Sequence, residues 1–236
     1  MINGGTENTL DLSGDLDDVE LLEAIESACG VKYSIEEAER LRTVGDAYDT
    51  LVEKLKAYDE RRKVCFAAIC FYRLRRALRE ITGHADIRPS TQFDELFAVR
   101  RVNPVLKRIE QRTGMALPAY DMNFFAAALG AILGVGSFIA ALILADFVGW
   151  WALLALLGWP AAYLIFRFAR TYLPPRYADV GDLARAMAGL NLGSLMDEFG
   201  VRHKDDIWNA LVVAIRNYTA YDGAINHETT FFSSVK

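Results

Sequence analysis

The hydrophobic and polar positions of this chain follow two regimes. Over most of its length apolar residues recur every three or four positions, the period of helices that bury one face. Between Asn123 and Arg170 that alternation stops. NFFAAALGAILGVGSFIAALILA and FVGWWALLALLGWPAAYLIF follow one another, parted by Asp146 alone. Each run reaches the roughly 20 apolar residues that cross a hydrocarbon core, so the pattern predicts a transmembrane helical hairpin over 122–170. A hairpin buried in a soluble core would need apolar partners on every side, and the remaining sequence is charged and amphipathic. Gly130, Gly134 and Gly136 offer small surfaces for close helix approach. Trp150 and Trp151 suit an interfacial belt near the turn, Trp159 lies deeper, and Pro160 is a kink position.

Elsewhere the period predicts helices with legible ends. DDVELLEAIESACGV places Val19, Leu22 and Ile25 or Glu26 at helical spacing, Leu21 and Cys29 widen the face, and Gly30 is the stop. Thr43 and Asp46 stand at capping-box spacing before a second helix. Residues 66–82 read as an amphipathic helix, HADIRPSTQFDEL as a loop, and VNPVLKRIEQRTG as a helix ended by Gly114. The soluble sequence also repeats itself. DVGDLARAM echoes TVGDAYDTL, and the C-terminal DDIWNALVVAIRNYTAYDGAINHETTFF echoes residues 73–93, with TTF answering TQF.

This order resembles the acyl carrier protein family. There a first helix leads to a Thr/Ser-x-Phe loop, an acidic second helix, a Gly-hydrophobic link and a last helix opened by Thr-Val-Gly-Asp. GDLDDVELLEAIESACGVKYS followed by TVGDAYDTL matches the second half; residues 73–118 match the first half, with 179–188 as its displaced last helix. The resemblance implies an all-α fold of acyl-carrier-like helical bundles plus the transmembrane hairpin. One module would join 1–60 to 205–236 as a circular permutation. A second would join 61–118 to 171–190 with the hairpin 122–170 inserted, leaving 191–204 as a linker. The apolar face of Trp208, Leu211, Val212 and Ile215 needs covering, because an isolated helix of this length is marginal in water. The N-terminal helices of the same chain satisfy that need, and so do those of a second copy in a domain-swapped homo-oligomer.

Charge sharpens the picture. Residues 1–60 hold 16 acids against 5 bases, whereas 61–122 hold 13 bases against 6 acids. Basic residues flank the hairpin on both sides (Lys107, Arg108 and Arg112; Arg167, Arg170 and Arg176), which predicts both termini in the cytoplasm of a bacterial inner membrane. The polar, acidic opening MINGGTENTLDLSGDLDD carries no cleavable-signal pattern, so insertion is expected through the internal hairpin. Cys29, Cys65 and Cys70 match no metal-ligand spacing and read as buried thiols in a reducing compartment.

The family holds phosphopantetheine on a serine at the start of its second helix. Asp15 stands there in this chain, and AVRRV takes the equivalent place in the second module, so no cofactor is expected. Ser13, two residues early, is the remaining hydroxyl. The acidic face that the family uses for docking would comprise Asp15, Asp17, Asp18, Glu20, Glu23 and Glu26, for a protein partner with a basic patch. A basic surface of Arg73, Arg76, Arg100, Arg101, Lys107 and Arg108 suits the anionic lipid bilayer. Nucleic acid is not expected, because Tyr72, Leu74 and Leu78 make the Arg73–Arg79 stretch an ordinary amphipathic helix.

Catalytic signals are thin. His84, His203 and His227 lie in separate loops with no zinc spacing, and His227, Glu228 and Asp222 are at most a small polar cluster. GAILGVG lies within an apolar run and lacks the lysine of a phosphate loop. The expected function is a non-enzymatic, membrane-anchored adaptor or regulatory subunit. The alternatives are a functional acyl or lipid-intermediate carrier using Ser13, and a subunit of a membrane lipid-pathway enzyme.

Overall fold

The structure, a computed structural model, describes residues 8–12, 17–55, 64–97, 102–122, 124–144, 158–168, 171–201, 203–219 and 221–232. The fold is all-α. The helices are α1 (Asp17–Cys29), α2 (Ile35–Ala38), α3 (Val44–Lys54), α4 (Phe66–Thr82), α5 (Phe93–Leu96), α6 (Asn103–Thr113), α7 (Phe124–Leu144), α8 (Gly158–Phe168), α9 (Val180–Leu190), α10 (Leu192–Phe199) and α11 (Lys204–Thr219). Strands β1 (Asp121–Met122) and β2 (Thr171–Tyr172) pair antiparallel. Helix ends lie where local chemistry dictates. Ser34 and Thr43 form capping boxes with Glu37 and Asp46, and Asp179 accepts the Asp182 N–H at 2.6 Å. Gly83, Gly114 and Gly200 close α4, α6 and α10 at positive φ.

The chain divides into two compact units. One comprises Met1–Leu96, Ile109–Ala119 and Tyr177–Lys236, so most of the segments expected as two modules lie in one unit, while 97–108 and 171–176 of the second expected module fall in the other. Its centre is α9, which packs on α4 and α11; α1 packs on α11 and α10, and α3 on α11. Helix α9 is buried nearly all round, and its sequence VGDLARAMAGL shows why: small residues let neighbours approach on several sides. A Cβ added at Gly189 would stand 2.9 Å from Val213 Cβ. Residues 191–204, expected as a linker, instead contain α10. Leu192, Leu195 and Met196 recur at helical spacing and are buried, which gives the segment a core face. The buried face of α1 keeps the expected Leu21, Ile25 and Cys29 and differs from expectation at Val19. Leu21, Ile25, Ala28 and Cys29 are inside, whereas Val19 is exposed.

One joint is built twice in this unit. After α4, Thr82 Oγ1 donates to the Leu78 carbonyl (2.8 Å) and accepts the His84 N–H (3.1 Å). Thr91 Oγ1 accepts the Arg88 N–H (2.9 Å), and the carbonyls of Thr91 and Pro89 accept the N–H groups of Val180 and Gly181 (3.0 and 2.8 Å). After α11, Thr219 donates to Ile215 (2.8 Å) and accepts from Tyr221 (3.2 Å), and Thr229 Oγ1 accepts the Asn226 N–H (2.9 Å). The carbonyls of Thr229 and His227 then accept Val44 and Gly45 N–H (2.9 and 3.0 Å). Phe93 and Phe231 are buried at matching places. The echoes in sequence are thus echoes in hydrogen bonding. The second joint gathers a further segment: Leu10 N–H donates to the Thr230 carbonyl (2.8 Å), and Thr230 N–H donates to that of Asn8 (2.9 Å).

The other unit comprises Phe97–Arg108 and Tyr120–Arg176. Helices α7 and α8 pack against each other through small residues. Gly134 faces Ala162, and at Gly158 an added Cβ would stand 2.2 Å from Ser137 Cβ. The β1–β2 ribbon closes the base of the pair, and Thr171 accepts the Val102 N–H through both its carbonyl (3.2 Å) and its hydroxyl (3.0 Å). The side chains described in these helices are those of 128–139 and 158–165; among the described residues no helix is long and apolar enough to cross a membrane. The helices of the expected hairpin are present, and these residues do not themselves show a membrane span. Asp146, Trp150 and Trp151 lie outside the described residues.

Candidate docking surfaces

Of the expected acidic face, Glu20 and Glu23 are exposed on α1. Tyr218 Oη donates to Glu20 at 2.7 Å, which ties that carboxylate to α11. Glu26 departs from expectation. It is buried, accepts the Tyr33 N–H at 2.7 Å and pairs with Lys32, so it fastens the link after α1 instead of presenting charge. Burial pulls the Glu26 carboxyl upward, but the Lys32 and Tyr33 bonds outweigh it and hold the group below its ordinary range. Asp15 and Ser13 lie outside the described residues, as do the side chains of Asp17 and Asp18.

Beside α1 is an apolar cavity of about 370 Å³ that sequence reading did not anticipate. Val19, Leu22, Ile35 and Phe232 contribute to its wall, and Ile35 is 75% exposed. Its signal in the sequence was faint, because α2 supplies Ile35 from only four residues. Glu20 and Glu23 are thus exposed on a helix whose Val19 and Leu22 line an apolar hollow.

On the basic side, Arg73 is paired with Glu198 and lies 3.9 Å from Met115 Sδ, so it belongs to an intramolecular contact. Arg76, Lys107 and Arg108 are exposed, and Arg100 and Arg101 lie outside the described residues. Around His227 the structure shows an aromatic cluster. The His227 ring stacks on Trp208 (centroids 4.4 Å, 6° between planes), and Tyr48 meets both edge-on. Among the described residues no group of three His, Cys, Asp or Glu side chains could hold a metal ion. Cys29 and Cys70 are buried, and burial pushes both thiols up to about 12. Cys65, expected to be buried with them, is exposed.

Comparison of the chain with protein-family models, curated proteins and solved structures finds no match in any of the three. The carrier-like resemblance therefore rests on the order of motifs in this chain alone.

Proposed function

We propose that this protein is a non-enzymatic adaptor, anchored in a bacterial cytoplasmic membrane by its helical hairpin and presenting a degenerate carrier-like scaffold to a protein partner. One observation carries the anchoring: the α7–α8 pair turns large apolar side chains outward. Ile132 is 68% exposed, Val135 59%, Phe138 53% and Trp159 58%. Soluble proteins rarely leave such a contiguous patch to water, and a bilayer satisfies it. The sequence adds a separate argument, since no charged residue stands between Asn123 and Ala145, the run length that a hydrocarbon core requires. The exposed acids of α1 beside the apolar cavity support the adaptor role, because such a surface steers and orients a basic partner.

Alkaline extraction of membranes tests the anchor. Full-length protein should stay in the pellet, and a variant with 123–170 replaced by a short Gly-Ser linker should not. Full-length protein that is monodisperse without detergent would sink the proposal. An impermeant maleimide applied to intact spheroplasts should label Asp146→Cys and spare Cys65, as the proposed orientation requires. The cavity beside α1 favours a second reading, a carrier of an acyl or lipid intermediate. Intact mass after co-expression with a phosphopantetheinyl transferase decides it: a prosthetic arm on Ser13 would replace the adaptor reading.

A further inference from the structure

Helix α4 carries arginines at 73, 75, 76 and 79. With Arg73 committed to Glu198, the other three line a surface cleft of about 300 Å³ together with Tyr72 and Glu80. Two acids beside them are already matched. Arg88 grips both carboxylate oxygens of Asp86 (2.9 and 3.3 Å), and Arg112 pairs with Glu80. Arg75 and Arg79 are nonetheless near enough to Asp86 to help Arg88 hold its carboxyl below the ordinary range. Arg75 Nε is buried with no hydrogen-bond partner.

We propose that the Arg75–Arg76–Arg79 cleft binds a phosphate group, and that its source is the headgroup of an anionic phospholipid. Guanidinium groups match phosphate oxygens in planar, bidentate geometry, and three within about one helical turn converge enough for a headgroup to be held. Tyr72, exposed at the rim, is an amphipathic ring of the kind enriched at lipid interfaces. Single-stranded nucleic acid is disfavoured, because its recognition stacks successive bases on aromatic rings and, among the described residues, Tyr72 is the lone ring lining this cleft. Phosphate binding stands on the cleft itself; the lipid source rests on the proposed membrane anchor.

The test uses full-length protein in a neutral detergent, titrated calorimetrically with dihexanoyl-phosphatidylglycerol, dihexanoyl-phosphatidylcholine or inorganic phosphate. The glycerol lipid should bind at least about tenfold more tightly than the choline lipid, and the triple variant Arg75→Gln/Arg76→Gln/Arg79→Gln should lose at least about tenfold. Arg40→Gln, at an exposed position outside the basic surface, should bind as the parent does. Arg76→Gln alone, at an exposed position that does not endanger folding, should give a partial loss. Equal binding of the two lipids, or a folded triple variant that binds normally, overturns the site. Inorganic phosphate or an oligouridylate binding more tightly than the glycerol lipid overturns the lipid source. None of these readouts requires membrane insertion, so their failure is distinct from failure of the anchor.

Discussion

Gly45 and His227 meet backbone to backbone: the Gly45 N–H donates to the His227 carbonyl at 3.0 Å, and a Cβ on Gly45 would stand 2.7 Å from that oxygen. This contact fastens the start of α3 to the loop after α11. Its counterpart joins Gly181 to Pro89, where the added Cβ would lie 3.1 Å from the carbonyl oxygen. Gly45→Ala should therefore cost about 2–3 kcal/mol, and Gly181→Ala about 1 kcal/mol. Chemical denaturation of the two variants checks the order, and an equal effect would show that the joints are not stressed as their geometry requires.

Thr229 is fully buried and donates to Asn8 Oδ1 (3.0 Å) while accepting from the Asn226 N–H. Thr229→Val keeps the shape and strands both partners, which should cost about 1–3 kcal/mol. Removing 205–236 should do more, uncovering Leu21, Ile25 and Leu51 and raising hydrogen exchange through 17–55. Unchanged exchange after that deletion would mean that the chain's two ends do not stabilise each other.

Glu26 sets a pH dependence. Its folded-state carboxyl lies below the ordinary value of 4.5, so its contribution is present above that value and lost as pH falls through the folded one. Glu26→Gln should destabilise the protein at neutral pH by about 1–2 kcal/mol, with the gap to the parent closing under acid conditions. Thermal melts from pH 7 to pH 3 measure it. A gap that is constant with pH would show that the Lys32 and Tyr33 bonds do not depend on ionisation.

The hairpin tolerates no bulk where Gly158 faces Ser137. Gly158→Leu should force α7 and α8 apart and lower thermal stability in detergent, by about 1–3 kcal/mol on the scale of overpacked cores. Gly136→Ala, where an added Cβ meets nothing within 4 Å, should be nearly silent.

The three thiols should separate by accessibility. Cys65 should react with maleimide in the folded protein, and Cys29 and Cys70 only after denaturation, since burial both shields them and keeps them protonated. Three equal rates would contradict the packing of α1 and α4.

Much of this was legible in order along the chain. Capping residues, positive-φ glycines and the uncharged runs are local signals, and the ends of α3, α4, α6 and α9 follow from them because each satisfies backbone groups within a few residues. The repeat was legible too, since the Thr-x-Phe and Val-Gly-Asp motifs that make the two joints are short and their bonds stereotyped. Tertiary packing decided the rest. It left Val19 exposed, turned Glu26 inward, gave 191–204 a core-facing helix and set His227 against Trp208. It also left Arg75 Nε buried and unpartnered while matching Asp86 and Glu80 elsewhere. A helical period states that one face is buried. Which neighbour buries it, and which charges that neighbour neutralises, depends on residues far away in the chain.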